Sequence, residues 1–441
     1  MKKSKRFYNI LTAALIAMAL LIFVIMFGAL LLGCGNGAKQ TSGEKAKENY
    51  ISFNRTDAFN LRQVITADST TSRTVMWQSE PEEKDAFVEY RTVGKEQSEI
   101  FTQKERINDK FTDNGKTSRV HTVTLNNLQP GTQYEYRLGY ADKRSEWYPF
   151  DTAKGNTYKA LIFPDSQSAD YKTWEGVAMP AWKRNQDAQF FITMGDLVDN
   201  GEHAFQWNEW FTRISPMINR IPAAPVMGNH ETYTTDWKVR MPLAYLHYFS
   251  LPEGAPEPYK NQFYSFDYGD VHFTVLNTQM REMEKFQPNL LQDQLAWFKS
   301  DMEKTKKKWK VVLMHKDVLQ YGFLTRKTPR AEGFSGEGKI FMPLFDKYNV
   351  DAVLTAHLHT YRNRGRIYDF KRDTKGPLYI LTGVAGDVRY PNLWKRHALD
   401  EAIAPQPETD NYMVMEAGED SIKFSCFLPD GTKIDETEVR K

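Results

Sequence analysis

The residues that decide the fold lie at 190–201 and read FFITMGDLVDNG. The first five carry no charge and no polar–apolar alternation, which is typical of a strand buried on both faces. A glycine and two aspartates follow where that strand would end. Open α/β sheets bind their ligands at the carboxyl ends of their strands. This stretch therefore predicts a layered α/β domain and the edge at which a site would lie.

Similar apolar runs recur along the chain, at 160–163, 271–276, 311–314, 352–354 and 378–381. A helical pattern extends from Leu290 to Lys306 between two of them, with Leu291, Leu295 and Phe298 on its apolar side. Strands that alternate with helices predict an α/β domain, which we place at residues 156–441.

Residues 51–155 have a different pattern, in which short alternating segments are separated by turns. Examples are RTVMW at 73–77 and VHTVTL at 120–125. This pattern predicts an all-β sandwich. Residues 128–137, LQPGTQYEYR, resemble the corner of a fibronectin type III-like domain, where a tyrosine hydroxyl binds the backbone. Tyr134 is the tyrosine that we expect in this role.

The N-terminus predicts export to a membrane surface. Lysines and an arginine within residues 2–6 precede an uncharged apolar run at 10–32, which is long enough to span a bilayer. The run ends in Leu31-Leu32-Gly33-Cys34, which resembles a bacterial lipobox with Cys34 as the lipidated residue. Residues 1–34 are thus either a lipoprotein signal or a single transmembrane anchor, and residues 35–50 form a flexible linker. Both alternatives predict an extracytoplasmic protein attached to a membrane.

The composition excludes some classes of protein. The formal net charge is +2, so the overall charge gives no argument for a nucleic-acid scaffold role. The two cysteines, Cys34 and Cys426, are too few for a disulfide framework or a zinc knuckle.

Polar residues of the kinds that ligate metals follow four of these apolar runs and a fifth, shorter run at 224–227. Each alone is most simply a turn or a helix cap. Five such groups in order, containing four of the nine histidines, instead predict one shared site. The residues are Asp165 and Gln167; Asp196 and Asp199; Asn229 and His230; His315; and His357 and His359.

The order of these motifs resembles that of the calcineurin-like metallophosphoesterases, and the N-terminal sandwich makes the purple acid phosphatase branch the most similar. The resemblance implies a four-layer α/β domain, with two facing β-sheets flanked by helices, and a dinuclear metal site. Asp165 and His359 match ligands of the first metal, and Asp196 matches the carboxylate that bridges both. Ligands of the second metal are matched by Asn229, His315 and His357. His230 matches a residue that approaches the substrate rather than a metal, and we expect it to be the catalytic acid.

Two positions depart from the family pattern. Asp199 stands where the purple enzymes have tyrosine, and Gln167 stands where many relatives have histidine. Either residue, or water, could complete the first metal or its surroundings. The cofactor is expected to be two divalent or trivalent ions of iron, manganese or zinc. Candidates for substrate contact are His203, Tyr233, Tyr361 and Arg362.

These observations predict metal-dependent hydrolysis of phosphate esters, with monoesters favoured. The expected partners are the ester substrate and, through the anchor, a membrane. One alternative is an exported phosphodiesterase or nucleotidase. Another is a non-catalytic surface binding protein with a vestigial metal site, against which the intact set of ligands argues.

Overall fold

The computed structural model describes residues 57–82, 85–94 and 99–441. The anchor and linker predicted for residues 1–50, including Cys34, lie outside the described residues. Within the described ranges, no helix combines the length and apolar character that crossing a bilayer requires.

The N-terminal region is the predicted all-β sandwich. One of its sheets has the order β1-β2-β6-β5, and the other has the order β4-β3-β7-β8, with β9 also paired to β7. Trp77, Val88 and Tyr136 lie in the buried core between them. The strands are β1 Ala58–Val64, β2 Arg73–Ser79, β3 Ala86–Thr92, β4 Phe101–Lys104, β5 Ile107–Asp113, β6 Lys116–Leu125, β7 Gln133–Tyr140, β8 Lys143–Arg144 and β9 Tyr148–Asp151.

The predicted tyrosine corner is confirmed. The backbone N–H of Gln129 donates to the hydroxyl oxygen of Tyr134 at 2.9 Å. The Tyr134 ring stacks on Phe150 with 5.3 Å between centroids. This contact fixes the turn that leads into β7.

The second region contains two mixed sheets. The first has the order β25-β24-β23-β10-β11-β12, and the second has the order β13-β14-β15-β18-β21-β19-β20, with β22 paired to β19. The strands are β10 Tyr158–Phe163, β11 Ala188–Thr193, β12 Ala223–Pro225, β13 Tyr264–Tyr268, β14 Val271–Leu276, β15 Trp309–Met314, β16 Leu319–Gln320, β17 Gly333–Phe334, β18 Ala352–Thr355, β19 Tyr361–Tyr368, β20 Lys371–Arg372, β21 Leu378–Thr382, β22 Ala402–Ile403, β23 Tyr412–Ala417, β24 Ser421–Phe427 and β25 Lys433–Arg440. The helices are α1 Lys172–Arg184, α2 Ala204–Arg213, α3 Ser215–Ile218, α4 Leu243–Tyr248, α5 Met280–Met283, α6 Leu290–Lys304 and α7 Gly336–Lys347.

The two sheets face each other and carry helices on their outer faces. Phe190 of β11 lies between them, with its ring 5.8 Å from that of Phe266 and 5.6 Å from that of Phe273. On the outer side of the second sheet, Phe298 of α6 and Phe345 of α7 are buried in one cluster with the strand residues beneath them. The predicted four-layer arrangement is confirmed.

A feature that the sequence did not predict is the continuity of the first sheet with the sandwich. Strand β1 pairs in parallel with β12 through Val64 and Ala223. The N–H of Ile65 also donates to the carbonyl oxygen of Ala223 at 2.9 Å. One ten-stranded sheet therefore contains strands of both regions. The boundary near residue 155 stays a prediction, since the hydrogen-bonded sheet extends across both sides of it.

Candidate metal centre

The structure brings the predicted ligands together at one edge of the facing sheets. Strands β10, β11 and β12 are mutually parallel, as are β15 and β18, so their carboxyl ends meet. The loops that leave these ends carry Asp165, Asp196, Asn229, His315, and the pair His357 and His359.

One group of ligand atoms, the first ligand group, comprises Asp165, Asp196 and His359. One atom from each lies within 4.8 Å of the others. The Nε2 of His359 is 3.4 Å from Oδ1 of Asp165. Its Nδ1 lies 2.9 Å from the carbonyl oxygen of Val388, so Nδ1 carries the proton and Nε2 is left to act as a ligand.

The second ligand group comprises Asp196, His315 and His357, again within 4.8 Å of one another. The Nε2 of His315 lies 3.0 Å from Oδ2 of Asp196 and 3.2 Å from Oδ1 of Asn229. The Nδ1 of His315 lies 2.8 Å from the carbonyl oxygen of Met194, which directs Nε2 into the centre. Asp196 therefore belongs to both groups, as expected of a bridging carboxylate.

His357 tests whether these residues fit metal ions. Its Nδ1 is buried and has no hydrogen-bond partner, which is costly unless the lone pair meets a cation. Burial, followed by the neighbouring His315, lowers the pKa of His357 to about 3, so the imidazole is neutral and able to ligate. Neutral imidazoles with carboxylate and amide oxygens suit transition-metal ions. The residues present fit two such ions.

The buried carboxylates and imidazoles of the centre shift one another's pKa values. Burial acts to raise the pKa of Asp196, but the imidazoles of His315 and His230 outweigh it and hold this pKa well below its ordinary range. Burial acts to lower the pKa of His315, but Asp196 and Asp165 outweigh it and raise the pKa to about 9. His315 and His230 thus supply positive charge that balances the buried carboxylates.

Close backbone approach shapes the loops at this edge. Asp196, His357 and His359 have φ values of 49°, 76° and 52°, in the left-handed region that non-glycine residues seldom adopt. A Cβ on Gly228 would lie 2.1 Å from Oδ1 of Asp196, so only glycine fits there. Backbone strain of this kind concentrates where a structure fixes functional side chains.

Glu231 organises the loop that carries Asp196, a role that the sequence pattern did not predict. Its buried carboxylate accepts hydrogen bonds from the N–H groups of Asp196, Leu197 and Gly228 at 3.0, 2.8 and 2.7 Å. Burial, followed by repulsion from Asp196, raises the pKa of Glu231 to about 7. Its position directly after Gly228-Asn229-His230 was the available signal.

His230 lies beside both ligand groups. Its Nδ1 is 2.7 Å from the carbonyl oxygen of Asp199, and its Nε2 is 4.0 Å from Oδ2 of Asp196. Burial acts to lower the pKa of His230, but Asp196 and Asp199 outweigh it and raise the pKa to about 9. The ring therefore presents Nε2 toward the centre without belonging to either ligand group.

Gln167 and Asp199, the two departures from the family pattern, lie around His230. The Nε2 of Gln167 is 3.2 Å from Nε2 of His230 and 3.5 Å from Oδ1 of Asp199. The Oε1 of Gln167 is buried without a hydrogen-bond partner. Asp199 belongs to neither ligand group. The distances place both residues around the imidazole of His230.

The four candidate substrate contacts separate into two pairs. Tyr233 lies beside His230, with 5.4 Å between ring centroids, and His203 at the start of α2 has a buried Nδ1 without a hydrogen-bond partner. Tyr361 and Arg362 require a correction. Both are buried on β19, where the Tyr361 hydroxyl donates to Asp435 and Arg362 pairs with Asp400. They are not positioned to touch a substrate.

The structure adds two aromatic residues that no motif indicated. The ring of Tyr390 lies 4.9 Å from that of His359, and burial, followed by the carboxylates of Asp196, Asp165 and Asp199, raises its pKa. The ring of Trp237 lies 5.7 Å from that of His230. Both come from loops whose sequences carry no recognisable motif.

Comparisons with known proteins agree with this geometry. The family model of calcineurin-like phosphoesterases matches residues 164–361, and that of the purple acid phosphatase N-terminal domain matches residues 59–152. Acid phosphatase type 7 of Mus musculus is 27% identical over 324 residues, which cover 64% of this chain and 70% of that protein. Purple acid phosphatase 23 of Arabidopsis thaliana is 24% identical over 307 residues, which cover 61% and 63%.

Solved structures share the fold. A purple acid phosphatase from yellow lupin (Lupinus luteus) seeds superimposes with a TM-score of 0.70 at 17% identity, covering 87% of this chain and 74% of that one. The structure of PhoD gives a TM-score of 0.60 at 13% identity, covering 87% and 93%.

Proposed function

We propose that this chain, which belongs to the calcineurin-like metallophosphoesterases and carries the N-terminal domain of purple acid phosphatases, hydrolyses phosphate monoesters with two metal ions. The observation that carries the proposal is the position of Asp196, whose carboxylate belongs to both ligand groups. A shared anionic ligand is what two neighbouring cations need in order to stay close together.

The ligand sets follow from the two groups. Asp165, Asp196 and His359 would hold one ion, and Asp196, Asn229, His315 and His357 would hold the other. When bound, two such ions activate water and neutralise the charge of the phosphoryl group. Imidazole with carboxylate suits iron, manganese or zinc. Gln167 and Asp199 support this reading by holding His230 beside the ions rather than among their ligands.

His230 is proposed to supply the proton that the leaving group needs. In hydrolysis a water oxygen forms a bond to phosphorus, and the bond between phosphorus and the ester oxygen breaks. The departing oxygen takes one proton, and the attacking water gives one up. The Nε2 of His230 faces the centre while Nδ1 is occupied by the carbonyl oxygen of Asp199. A group held in this way can protonate the leaving oxygen as the bond breaks.

A location outside the cytoplasm, at a membrane, is part of the proposal. Its support is the basic start of the sequence, the apolar run at 10–32 and the lipobox-like Cys34. The lipid anchor is tested by comparing the mass and N-terminus of the wild-type protein with those of the Cys34→Ala variant in fractionated cells. A lipid anchor predicts that wild type is processed and that the variant remains an unprocessed precursor. The same intact N-terminus in both proteins would favour a transmembrane helix instead.

The test of the activity is hydrolysis of an ester panel by the full-length protein. The protein is stripped with a chelator and then supplied with manganese, zinc or iron, and phenyl phosphate, glycerol phosphate and diphenyl phosphate are compared. We expect no turnover by the stripped protein and faster turnover of the monoesters once metal returns. A faster rate on the diester would favour the phosphodiesterase alternative. Metal uptake without turnover of any ester would contradict the proposal.

A further inference from the structure

Trp237 is an exposed aromatic residue beside the proposed acid. Its side chain is 56% exposed, although tryptophan usually buries most of its large apolar surface. The indole ring meets His230 edge-to-face at an interplanar angle of 89°. Tyr233 lies 6.0 Å from Trp237 between ring centroids, so the three rings form one aromatic group.

The loop that presents Trp237 is firmly built. The N–H of Trp237 donates to the carbonyl oxygen of Thr234 at 3.0 Å, and the N–H of Thr234 donates to the carbonyl oxygen of Lys238 at 2.8 Å. These bonds close a tight turn in which Trp237 has a φ of 63°. A side-chain amide of Asn200 donates to the carbonyl oxygen of Thr234 at 2.9 Å, and Glu202 accepts from Thr235 N–H at 2.9 Å. Trp237 is therefore held in its exposed position by an ordered turn and does not belong to a frayed loop.

Tyr233 joins this aromatic group to His230, whose ring lies 5.4 Å away between centroids. Tyr233 is partly buried, and Trp237 extends the same surface outward to solvent. The leaving group of an ester attacked at the centre would depart along this surface, past His230.

The charges on the loop indicate which leaving groups fit. Lys238 pairs with Asp236 at 2.6 Å, and Arg240 pairs with Asp113 at 2.7 Å and with Glu202 at 3.1 Å. Each cation of this loop thus has a carboxylate partner. The surface offers aromatic faces but no unpaired cation of its own to hold further phosphate groups.

We propose that Trp237, with Tyr233, forms a leaving-group subsite that selects uncharged aromatic leaving groups, such as aryl or nucleoside groups, over small alkyl groups. The inference rests on the proposed phosphomonoesterase function and adds the class of substrate. Trp237 acts on substrate choice through ring stacking and takes no proton.

The experiment compares kcat/KM for phenyl phosphate and adenosine monophosphate with that for glycerol phosphate, in wild type, Trp237→Ala and Trp237→Phe. Aromatic stacking predicts that Trp237→Ala lowers the aromatic-to-alkyl ratio about five- to tenfold, mainly through KM, and that Trp237→Phe keeps most of it. Tyr368→Ala, which removes an exposed aromatic residue at the end of β19, is the matched control and should leave the ratio unchanged.

Competition by non-hydrolysable phosphonates provides a second readout that needs no proton transfer. Phenylphosphonate should inhibit Trp237→Ala about five- to tenfold more weakly than wild type, whereas methylphosphonate should inhibit both alike. An unchanged ratio in Trp237→Ala, while wild type turns over the esters, would overturn the subsite. Failure of metal-loaded wild type on every ester would instead overturn the proposed function.

Discussion

Two clusters of buried charge begin on the same loop, two residues apart, and they differ in how their charges are satisfied. His315 belongs to the candidate metal centre, and Asp317 pairs with the buried Arg364. We call the second cluster the Arg364 network. It comprises Asp317, Tyr321, Thr355, Arg362, Arg364 and Asp400.

Every charge in the Arg364 network has a partner. Arg364 donates to Asp317 at 2.5 Å and to the Tyr321 hydroxyl at 3.0 Å. Asp400 accepts from Tyr321 at 2.7 Å and from Arg362 at 3.0 Å. In the centre, by contrast, Nδ1 of His357 and Oε1 of Gln167 have no partner. A cluster that satisfies itself serves the scaffold, whereas one that leaves buried atoms unpaired is arranged for a ligand.

Of the changes considered, replacement of His357 should have the largest effect, on both metal content and activity. His357→Ala should lower metal content and reduce ester hydrolysis by about a thousandfold or more, since charge stabilisation by the ions is worth several kcal/mol. Metal analysis and kinetics on the purified protein measure both effects. The matched control is His230→Ala, which should keep its metals and lose rate chiefly on esters with alkyl leaving groups. Full metal occupancy in His357→Ala would show that the unpaired Nδ1 is not a ligand.

Replacement of Asp317 tests the other side of the comparison. Asp317→Ala leaves the charge of Arg364 buried without its carboxylate, so the free energy of unfolding should fall by about 3–5 kcal/mol. Urea denaturation measures the change. The double variant Asp317→Leu with Arg364→Met should regain most of the loss, because it removes both charges together. A loss below about 1 kcal/mol in the single variant would mean that the network does not support the fold.

A third cluster of charged residues, around His272, predicts a smaller effect on stability that depends on pH. The Nδ1 of His272 lies 2.7 Å from Asp267, its Nε2 lies 2.9 Å from Asp301, and Lys307 also faces Asp267 at 3.8 Å. Burial acts to lower the pKa of His272, but the two carboxylates outweigh it and raise the pKa from 6.5 to about 9. The pKa of His272 is higher in the folded protein than in the unfolded chain. The ion pairs of His272 therefore contribute fully to the free energy of unfolding below pH 6.5, and this contribution is lost as the pH rises through 9.

The measurement is the difference in unfolding free energy between wild type and His272→Gln, both loaded with metal, across this pH range. The difference should shrink by at most about 3 kcal/mol between pH 6.5 and 9. A difference that stays constant with pH would show that His272 is not charged in the folded protein.

The sequence predicted most of the centre because its signals are local. Each apolar run marks a strand, each following polar residue marks a strand end, and parallel strands bring those ends together. The same reasoning failed for Tyr361 and Arg362, since closeness to His359 along the chain does not fix which way a side chain on β19 points. Glu231 was missed because its backbone partners at residue 196 and beyond come from another loop, and contacts between loops leave no periodic pattern.

The continuous sheet has a consequence for any shortened form of the protein. A strand whose edge is left bare offers unpaired N–H and C=O groups as a template for aggregation. Strand β1 covers the edge of β12, and Arg62 donates from β1 to the carbonyl oxygen of Tyr248 at 2.6 Å. A chain that began at residue 156 would keep every candidate ligand and still expose that edge. Such a chain would be less soluble although its metal ligands are intact. The N-terminal sandwich therefore also protects the edge of β12 in the neighbouring region.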